Sequence, residues 1–316
     1  MSVFDKFKSL VQDLSIQNPK WGSDAIASYI QSKHDPSINA GSLGRVIRRS
    51  GWLQKKPFAS ARVLSFDIET APMLSYHWGL WNQNIYIDNV HKDWCILTWA
   101  AKWIFEDKVY SERISPDEVI ERDDKRIVKS LWNLLDQADI VIAHNAKKFD
   151  VRVANARFLK HGLKPPSHYQ VVDTLKVARK QFRLMSNKLD DICTYMGIEG
   201  KMETPKGLWK KAVEGDQEAI YIMDEYCVQD VKILEDVYFE LRAWIKPHPN
   251  LNLLEDPDGS NKCPTCTSPN LSYDGDYVTY ANRFHNFRCG DCGALSRSRV
   301  NSTGKETRDV LLIPNP

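Results

Sequence analysis

Three short segments place four carboxylates and one tyrosine where a strand and a helix could bring them together. They are SFDIET at residues 65–70, HNAKKFD at residues 144–150 and YCVQD at residues 226–230. An apolar run at residues 62–66 predicts a β-strand leading into the first segment, so Asp67 and Glu69 should project from the same strand face. The strand therefore directs two carboxylates to one site.

The third segment lies within a long helical pattern, predicted over residues 217–244. Tyr226 and Asp230 are four residues apart, and side chains at that spacing lie on one face of a helix. The phenol and the carboxylate should therefore point in the same direction.

Converging carboxylates suit hard divalent cations. Mg²⁺ and Mn²⁺ prefer oxygen ligands, and two such ions can clamp the attacking and leaving oxygens of a phosphoryl displacement. Without cations, carboxylates in one cleft raise each other's pKa. An Asp-x-Glu or a Tyr-x-x-x-Asp alone also occurs as a helix cap or a solvated face, but the combination in this order predicts a two-metal site.

The order of these residues resembles the DnaQ-like, or DEDD, 3′→5′ exonucleases of the RNase H-like superfamily. The matching motifs are Phe66-Asp67-Ile68-Glu69-Thr70, His144-Asn145 with Phe149-Asp150, and Tyr226-x-x-x-Asp230. The tyrosine subclass (DEDDy) fits better than the histidine subclass, which would have its histidine where Glu225 stands. The tyrosine subclass includes proofreading domains of B-family DNA polymerases and stand-alone phage and bacterial nucleases. The resemblance spans about residues 62–244 and includes the segments at 172–175 and 186–191, which lie between the second and third motifs.

The resemblance implies two Mg²⁺ or Mn²⁺ ions held by Asp67, Glu69, Asp150 and Asp230, and release of 5′-mononucleotides from DNA 3′ ends. It assigns Tyr226 to orienting the attacking water, because a tyrosine with an ordinary pKa near ~10 is a poor base at neutral pH.

The family also places residues matching Asn145 and Phe149 near the terminal nucleotide, where an amide can hydrogen-bond and a ring can stack. Structural alternatives are a helix cap near residue 146 for Asn145 and a core position for Phe149. His144 is expected to be structural, because a lone histidine at a strand end seldom binds a ligand.

Two Cys-x-x-Cys pairs, separated by 22 residues, predict one structural Zn²⁺. The four cysteines are Cys263, Cys266, Cys289 and Cys292. Disulfides are the alternative, but residues 1–10 are too polar for a secretory signal, and disulfides persist in oxidising compartments. The segment resembles a zinc ribbon, although Thr267 stands where ribbons often have glycine. Its aromatic residues and arginines (Arg283, Arg288, Arg297 and Arg299) could contact nucleic acid. The alternative is that the aromatic residues form the core of this small domain.

Three short amphipathic helices are predicted before the acidic segments, at residues 3–14, 23–34 and 42–50. They loosely resemble a helix-turn-helix, whose last helix would present Arg45, Arg48 and Arg49 to a duplex or to phosphates. A packing or protein-docking bundle with a basic, solvated face is the alternative.

The fold class predicted is α/β: an RNase H-like mixed five-stranded sheet with flanking helices, plus an N-terminal helical domain and a C-terminal zinc ribbon. The expected domains are residues 1–58, 59–246 and 258–302, joined through linker segments at 246–250 and 255–260. Further strands are predicted at 94–104, 108–114, 139–143 and 170–172, and helices at 125–137, 148–161 and 188–196.

The net charge of +2 conceals a division along the chain. Residues 1–62 hold ten basic and four acidic residues, whereas residues 63–244 hold 25 basic and 29 acidic ones. A basic arm suits phosphate binding, and an acidic catalytic segment requires metal ions. No apolar stretch approaches the ~20 residues of a membrane span, so we expect a cytoplasmic protein of a bacterium or a phage-infected host.

The sequence thus predicts a 3′→5′ DNA exonuclease of phage or bacterial replication, repair or recombination. Its partners would be single-stranded DNA 3′ ends, duplex DNA through the N-terminal domain, and a replication or recombination protein, with no membrane. An exoribonuclease remains open because the acids do not discriminate the 2′-hydroxyl. A non-catalytic DNA-binding regulator and a transposase are further alternatives. The reaction products distinguish them: an exonuclease releases mononucleotides, a transposase joins strands, and a regulator forms no product.

Overall fold

The computed structural model describes residues 4–17, 23–50, 61–104, 106–198, 202–254 and 259–313. The chain divides into two compact units. One contains residues 1–60 with 253–257, and the other contains residues 61–252 with 258–316.

The first unit contains a 3₁₀ helix at Asp5–Phe7 and three α-helices. They are α1 (Lys8–Gln17), α2 (Ser23–Lys33) and α3 (Ala40–Ser50). Helix α3 begins two residues earlier than predicted, because Asn39 Oδ1 accepts the Ser42 N–H at 2.9 Å and caps the helix. Val11, Ile30 and Leu43 are fully buried and join the three helices in one small core.

The predicted recognition-type helix is therefore present as α3. The side chains of Arg45, Arg48 and Arg49 lie outside the described residues. Their contact with nucleic acid stays a prediction.

Between residues 61 and 173, the described part of the second unit contains seven strands. They are β1 (Val63–Thr70), β2 (Leu74–Ser75), β3 (Val90–Lys92), β4 (Ile96–Trp103), β5 (Val109–Arg113), β6 (Ile140–Ala143) and β7 (Gln170–Asp173). Five form one sheet in the order β5-β4-β1-β6-β7, and β2 pairs with β3. Strand β4 runs antiparallel to β1 and β5, whereas β1, β6 and β7 are parallel. The predicted mixed five-stranded sheet is confirmed.

Seven α-helices of the described residues accompany the sheet. They are α4 (Pro116–Glu121), α5 (Lys125–Leu135), α6 (Asp150–Lys160), α7 (Thr174–Gln181), α8 (Leu189–Met196), α9 (Leu208–Val213) and α10 (Gln217–Leu241). The Asp216 side chain caps α10 by accepting the Ala219 N–H at 2.8 Å. Helix α10 ends at Leu241 and continues as a 3₁₀ turn to Trp244. The long helix predicted over residues 217–244 is confirmed with this change at its end.

The alternation of side chains along β1 separates the core from the acidic face. Leu64, Phe66 and Ile68 are buried in the main hydrophobic cluster with residues of α5 and α6. Asp67 and Glu69 project from the opposite face, where α10 packs across β1, β4 and β5. Helix α10 therefore covers the strand face that carries the carboxylates.

The C-terminal part of this unit is a three-stranded antiparallel sheet followed by one short helix. Its elements are β8 (Leu271–Val278), β9 (Arg283–Cys289), β10 (Leu295–Arg297) and α11 (Lys305–Val310). Ala243, in the 3₁₀ turn after α10, contacts its cysteine cluster. The backbone N–H of Leu251 also donates to the carbonyl of Pro264 at 2.8 Å.

Residues 246–250 do not form the open linker that their composition predicted. His248 Nε2 lies 2.9 Å from the Tyr238 hydroxyl of α10, and Ile245 and Leu251 are buried on either side. Prolines suggested a spacer, but the flanking apolar residues hold the segment against the helix. Of the second predicted linker, residues 255–258 lie outside the described residues. Among the residues described, no helix has the length and apolar character needed to cross a membrane.

Candidate active site

Strand β1 presents Asp67 and Glu69 at the centre of the sheet. Asp67 is paired with Ala100 and Glu69 with Thr98 of β4, and the ladder becomes irregular between Glu69 and Thr70. Both carboxylates are half-buried. The central strand therefore holds two acids in fixed positions on one face.

Helix α10 brings Asp230 close to the two acids of β1. The Sγ atom of Cys227 lies 3.5 Å from the carbonyl oxygen of Asp67 and 3.6 Å from its Oδ2, which brings the helix close to the strand. One carboxylate oxygen each from Asp67, Glu69 and Asp230 lies within 4.8 Å of the others. The structure thus brings the acids of the first and third segments into one cluster.

Asp150 lies at the first position of α6 and is only 1% exposed. Neither of its oxygens accepts a hydrogen bond of good geometry from the described residues. It is outside the group of three carboxylates within 4.8 Å, but its charge raises the pKa of both Asp67 and Glu69. A buried, unpartnered carboxylate beside three others is stable only if a proton or a cation neutralises it.

The turn before Asp150 is organised by Asp173, the last residue of β7. Its carboxylate accepts the backbone N–H of Asn145 and of Lys147, both at 3.2 Å. Asn145 has a φ of 75°, a left-handed conformation that asparagine tolerates better than most residues. The helix predicted from residue 148 therefore begins at Asp150, because residues 145–149 form this turn.

All four acids have raised pKa values. Burial is the largest cause in each case, and it raises the pKa of Glu69 to about 8 and those of Asp150 and Asp230 to about 7. The pKa of Asp67 is raised well above its ordinary range by burial and by the charges of Asp150 and Glu69. Opposing effects come from nearby N–H dipoles at Asp150 and from the Tyr226 hydrogen bond at Asp230. The mutual repulsion expected from the sequence is therefore present.

Tyr226 remains a proton donor in this environment. Burial raises its pKa, and the charges of Asp230 and Glu69 add to this effect. Its hydroxyl hydrogen-bonds to Asp230, and the Trp209 ring of α9 packs edge-on at 6.5 Å between centroids. The sequence did not indicate Trp209, because α9 was not predicted.

The other residues of the second segment have different environments. Phe149 is 39% exposed, so the core position considered for it is wrong. Asn145 does not cap a helix at residue 146, because α6 starts four residues later. The ring of His144 bonds to Thr174 Oγ1 and to the carbonyl oxygen of Asn187, both at 2.9 Å, and burial lowers its pKa. Its structural role is confirmed.

The donor atoms fit the metals expected from the sequence. Clustered carboxylate oxygens, together with the unpartnered Asp150, match the preference of Mg²⁺ and Mn²⁺ for oxygen. Asp67, Glu69, Asp150 and Asp230 are the residues that could hold such ions.

The four late cysteines also converge. The Sγ atoms of Cys263 and Cys292, and of Cys266 and Cys289, are 3.6 Å apart. A tetrahedral Zn²⁺ with Zn–S bonds of about 2.3 Å separates its sulfurs by about 3.8 Å, whereas a disulfide requires about 2.05 Å. All four cysteines are free thiols, so the arrangement is compatible with a zinc ribbon.

The residue after each cysteine pair adopts a left-handed conformation. Thr267 has a φ of 61° and Gly293 a φ of 75°, and their N–H groups donate to the carbonyls of Cys263 and Cys289. The two turns therefore have matching geometry. Threonine departs from the ribbon pattern at a position where glycine is unstrained.

Three of the four ribbon arginines are engaged within the module. Arg288 pairs with Asp274 at 3.0 Å, Arg283 lies 3.7 Å from Asp276, and Arg297 stacks 4.1 Å from the Phe284 ring centroid. These contacts lie on the surface of the module, and a contact of its arginines with nucleic acid stays a prediction.

Exposed apolar side chains between β2 and β3 were not singled out from the sequence. Trp78 is 92% exposed, and Leu80, Trp81 and Ile87 are each above 80%. The signal was available, because residues 73–87 are rich in aromatic residues without helical or strand periodicity. In the chain, this surface follows directly after the strand that carries Asp67 and Glu69.

A family model of the RNase_H superfamily matches residues 104–242 of the chain. The matched range contains the second and third acidic segments and begins after the first. The predicted RNase H-like fold is confirmed by this match and by the sheet topology. This fold is consistent with a nuclease, and RNase H-like nucleases use divalent metal ions.

Among solved structures, the chain is similar to the family B DNA polymerase from the hyperthermophilic archaeon Pyrobaculum calidifontis. The sequence identity is 15% and the TM-score is 0.43, over 62% of this chain and 27% of the polymerase chain. The chain thus spans about a quarter of that polymerase's length. No curated protein matches it.

Proposed function

We propose that the chain is a metal-dependent 3′→5′ exonuclease of the tyrosine subclass, which removes 5′-mononucleotides from the 3′ ends of DNA. The observation that carries this proposal is the cluster of Asp67, Glu69 and Asp230, whose oxygens lie within 4.8 Å beside the Tyr226 phenol. The buried, unpartnered Asp150 supplies the fourth acid of the pattern.

In the proposed reaction, water attacks the terminal phosphodiester bond. Two bound Mg²⁺ or Mn²⁺ ions would activate this water and neutralise charge on the phosphate. Asp67, Glu69, Asp150 and Asp230 would hold them, and β1, α6 and α10 fix these carboxylates before substrate arrives.

Tyr226 acts as a hydrogen-bonding group in this proposal. Its raised pKa keeps the phenol protonated at neutral pH, so it does not accept a proton from the water. The hydrogen bond to Asp230 and the packing against Trp209 hold the ring in one orientation. The phenol is therefore suited to orienting the water or a phosphate oxygen.

The test is incubation of the protein with Mg²⁺ or Mn²⁺ and 5′-labelled single-stranded DNA, with RNA of the same sequence in parallel. Asp230→Asn removes one carboxylate of the cluster and should abolish cleavage. Asp236→Asn is the matched control, because Asp236 is an exposed acid on the same helix.

A ladder that shortens from the 3′ end, present for Asp236→Asn and absent for Asp230→Asn, supports the proposal. A ladder on RNA alone would replace it with an exoribonuclease. DNA binding without cleavage of either substrate would favour a non-catalytic regulator.

A further inference from the structure

A basic cleft adjoins the turn that carries Asp150. It has a volume of about 150 Å³ and lies between α7, the edge strand β7 and residues 245–247. Four lysines line it: Lys147, Lys176, Lys180 and Lys246. These residues are up to 99 positions apart in the chain, so the tertiary fold assembles the cleft.

The lysine charges in this cleft are not balanced within the part of the chain that the structure describes. All four side chains are exposed, and none forms an ion pair with a described residue. Asp173 is the acidic residue of the lining, but it is 5% exposed and turned to backbone N–H groups. Its carboxylate accepts the backbone N–H groups of Asn145, Lys147 and Lys176, each at 3.2 Å. The cleft therefore presents a concentrated positive charge.

Asp173 also relates the cleft to the catalytic acids. The same carboxylate organises the turn that ends at Asp150, and its charge contributes to the raised pKa of Asp150. Lys147 lies in that turn, three residues before Asp150. An anionic strand bound at the acids would thus have this positive cleft next to it, in a catalytic segment that is acidic overall.

We propose that this cleft binds backbone phosphates of the single-stranded nucleic acid whose 3′ end occupies the active site. The inference rests on the proposed function and adds a binding site for nucleotides away from the scissile bond. Lysine ammonium groups recognise phosphate as point charges without reading bases. The cleft should therefore contribute affinity for strands of any sequence.

The first test measures binding of labelled dT20 and dA20 by fluorescence anisotropy over a range of salt concentrations. Ca²⁺ is used in place of Mg²⁺. Carboxylate oxygens bind Ca²⁺, whereas the four cysteine thiolates prefer softer metal ions. The variant is Lys176→Gln with Lys180→Gln, two exposed positions four residues apart on α7. The matched control is Lys125→Gln with Lys129→Gln, which has the same spacing and charge change on α5.

Loss of two phosphate contacts should reduce the slope of log affinity against log salt by roughly 1.4 for a single strand. Affinity should fall about tenfold near physiological salt, equally for dT20 and dA20. The control pair should retain the wild-type slope. An α7 variant that matches the control, or a wild type that does not bind either strand, would overturn the inference.

The second test compares hydrolysis of a long strand with that of the p-nitrophenyl ester of thymidine 5′-monophosphate, which is too short to reach the cleft. The ratio of kcat/KM for the long strand to kcat/KM for the ester should fall about tenfold in the α7 variant only. An unchanged ratio overturns the inference. A wild type that binds strands but hydrolyses neither substrate contradicts the proposed function, and the salt slopes then decide the cleft separately.

Discussion

The Cys227 thiol of α10 lies 3.6 Å from Oδ2 of Asp67 on β1, and 3.5 Å from the carbonyl oxygen of the same residue. Cys227 is fully buried and packs with Ala100 and Val231 between helix and sheet. This contact sets the distance between the strand that carries Asp67 and the helix that carries Asp230.

Enlarging this side chain should separate the two acids. Cys227→Leu adds volume to a packed contact and should destabilise the protein by roughly 1–3 kcal/mol. It should also raise the Mg²⁺ concentration needed for half-maximal cleavage, because the Asp67 and Asp230 oxygens no longer converge. Urea unfolding and Mg²⁺ titration of the activity measure the two effects. Cys193→Leu, at a buried thiol of α8, is the control and should lower stability alone.

The acidic cluster predicts that the protein without divalent ions loses stability as pH rises. The pKa of Glu69 is raised to about 8, and those of Asp150 and Asp230 to about 7, from ordinary values near 4. Between about pH 4 and pH 8 the folded state thus holds more protons than the unfolded state, so the unfolding free energy falls with increasing pH. Thermal unfolding after dialysis against buffer free of Mg²⁺ and Mn²⁺ measures this slope.

Mg²⁺ should raise the Tm more at pH 8 than at pH 5, because it binds the deprotonated acids. Asp230→Asn should reduce both the pH dependence and the Mg²⁺ effect. A Tm shift that is equal at the two pH values would count against metal binding at this cluster.

Asp173 should act as a positioning residue for Asp150. Its carboxylate caps α7 and accepts two N–H groups of the turn before Asp150. Asp173→Ala should therefore cost roughly 0.5–2 kcal/mol of stability as a lost cap, and should also lower kcat because Asp150 is no longer fixed. Asp216→Ala, which removes the cap of α10, is the comparison.

Both cap variants should lose stability in urea unfolding, and Asp173→Ala should lose more, because it also leaves the Asn145 and Lys147 N–H groups without their acceptor. At a temperature where both are folded, only Asp173→Ala should show reduced kcat and weaker Mg²⁺ dependence. Equal kcat values would show that Asp173 stabilises the fold without affecting the site.

Thr267→Gly should stabilise the cysteine-rich module. The φ of 61° at Thr267 is strained for a β-branched residue by about 1–2 kcal/mol, which glycine relieves at the expense of some chain entropy. We expect a net gain of up to about 1 kcal/mol and slower zinc release to a chelator. The opposite change, Gly293→Thr, should accelerate release, since the matching turn there has a φ of 75°. Equal release rates in both variants would contradict this account of the turns.

Several elements could be read from the sequence because their patterns are local. The apolar alternation of β1 and the long periodicity of α10 were recognised, with ends that shifted by a few residues. Helix α4 was missed although Ser115 and Glu118 form a capping box, a signal that the sequence carries. Helix α9 was missed because six residues hold too little periodicity to stand out. Helix α7 was missed although Asp173 caps it, a signal that the sequence carries.

Other features depended on partners distant in sequence. The start of α6 was predicted two residues too early, because the Asn145 N–H donates to Asp173 at the end of β7 and residues 145–149 form a turn. Residues 246–250 were read as a linker because their contact with Tyr238 is not encoded by their composition. The pairing of β2 with β3 involves only two residue pairs, too few to give a recognisable sequence pattern.

The sequence by itself determined that Asp67 and Glu69 share a strand face and that Tyr226 and Asp230 share a helix face. These relations follow from the repeat geometry of strand and helix, which holds wherever the elements pack. Only the tertiary structure decided that the two faces meet, that Asp150 is buried beside them with no well-formed hydrogen bond from the described residues, and that four distant lysines surround one cleft. Those facts depend on the packing of α6, α7 and α10 on the sheet. Contacts between residues far apart in sequence leave no local sequence pattern from which they could be predicted.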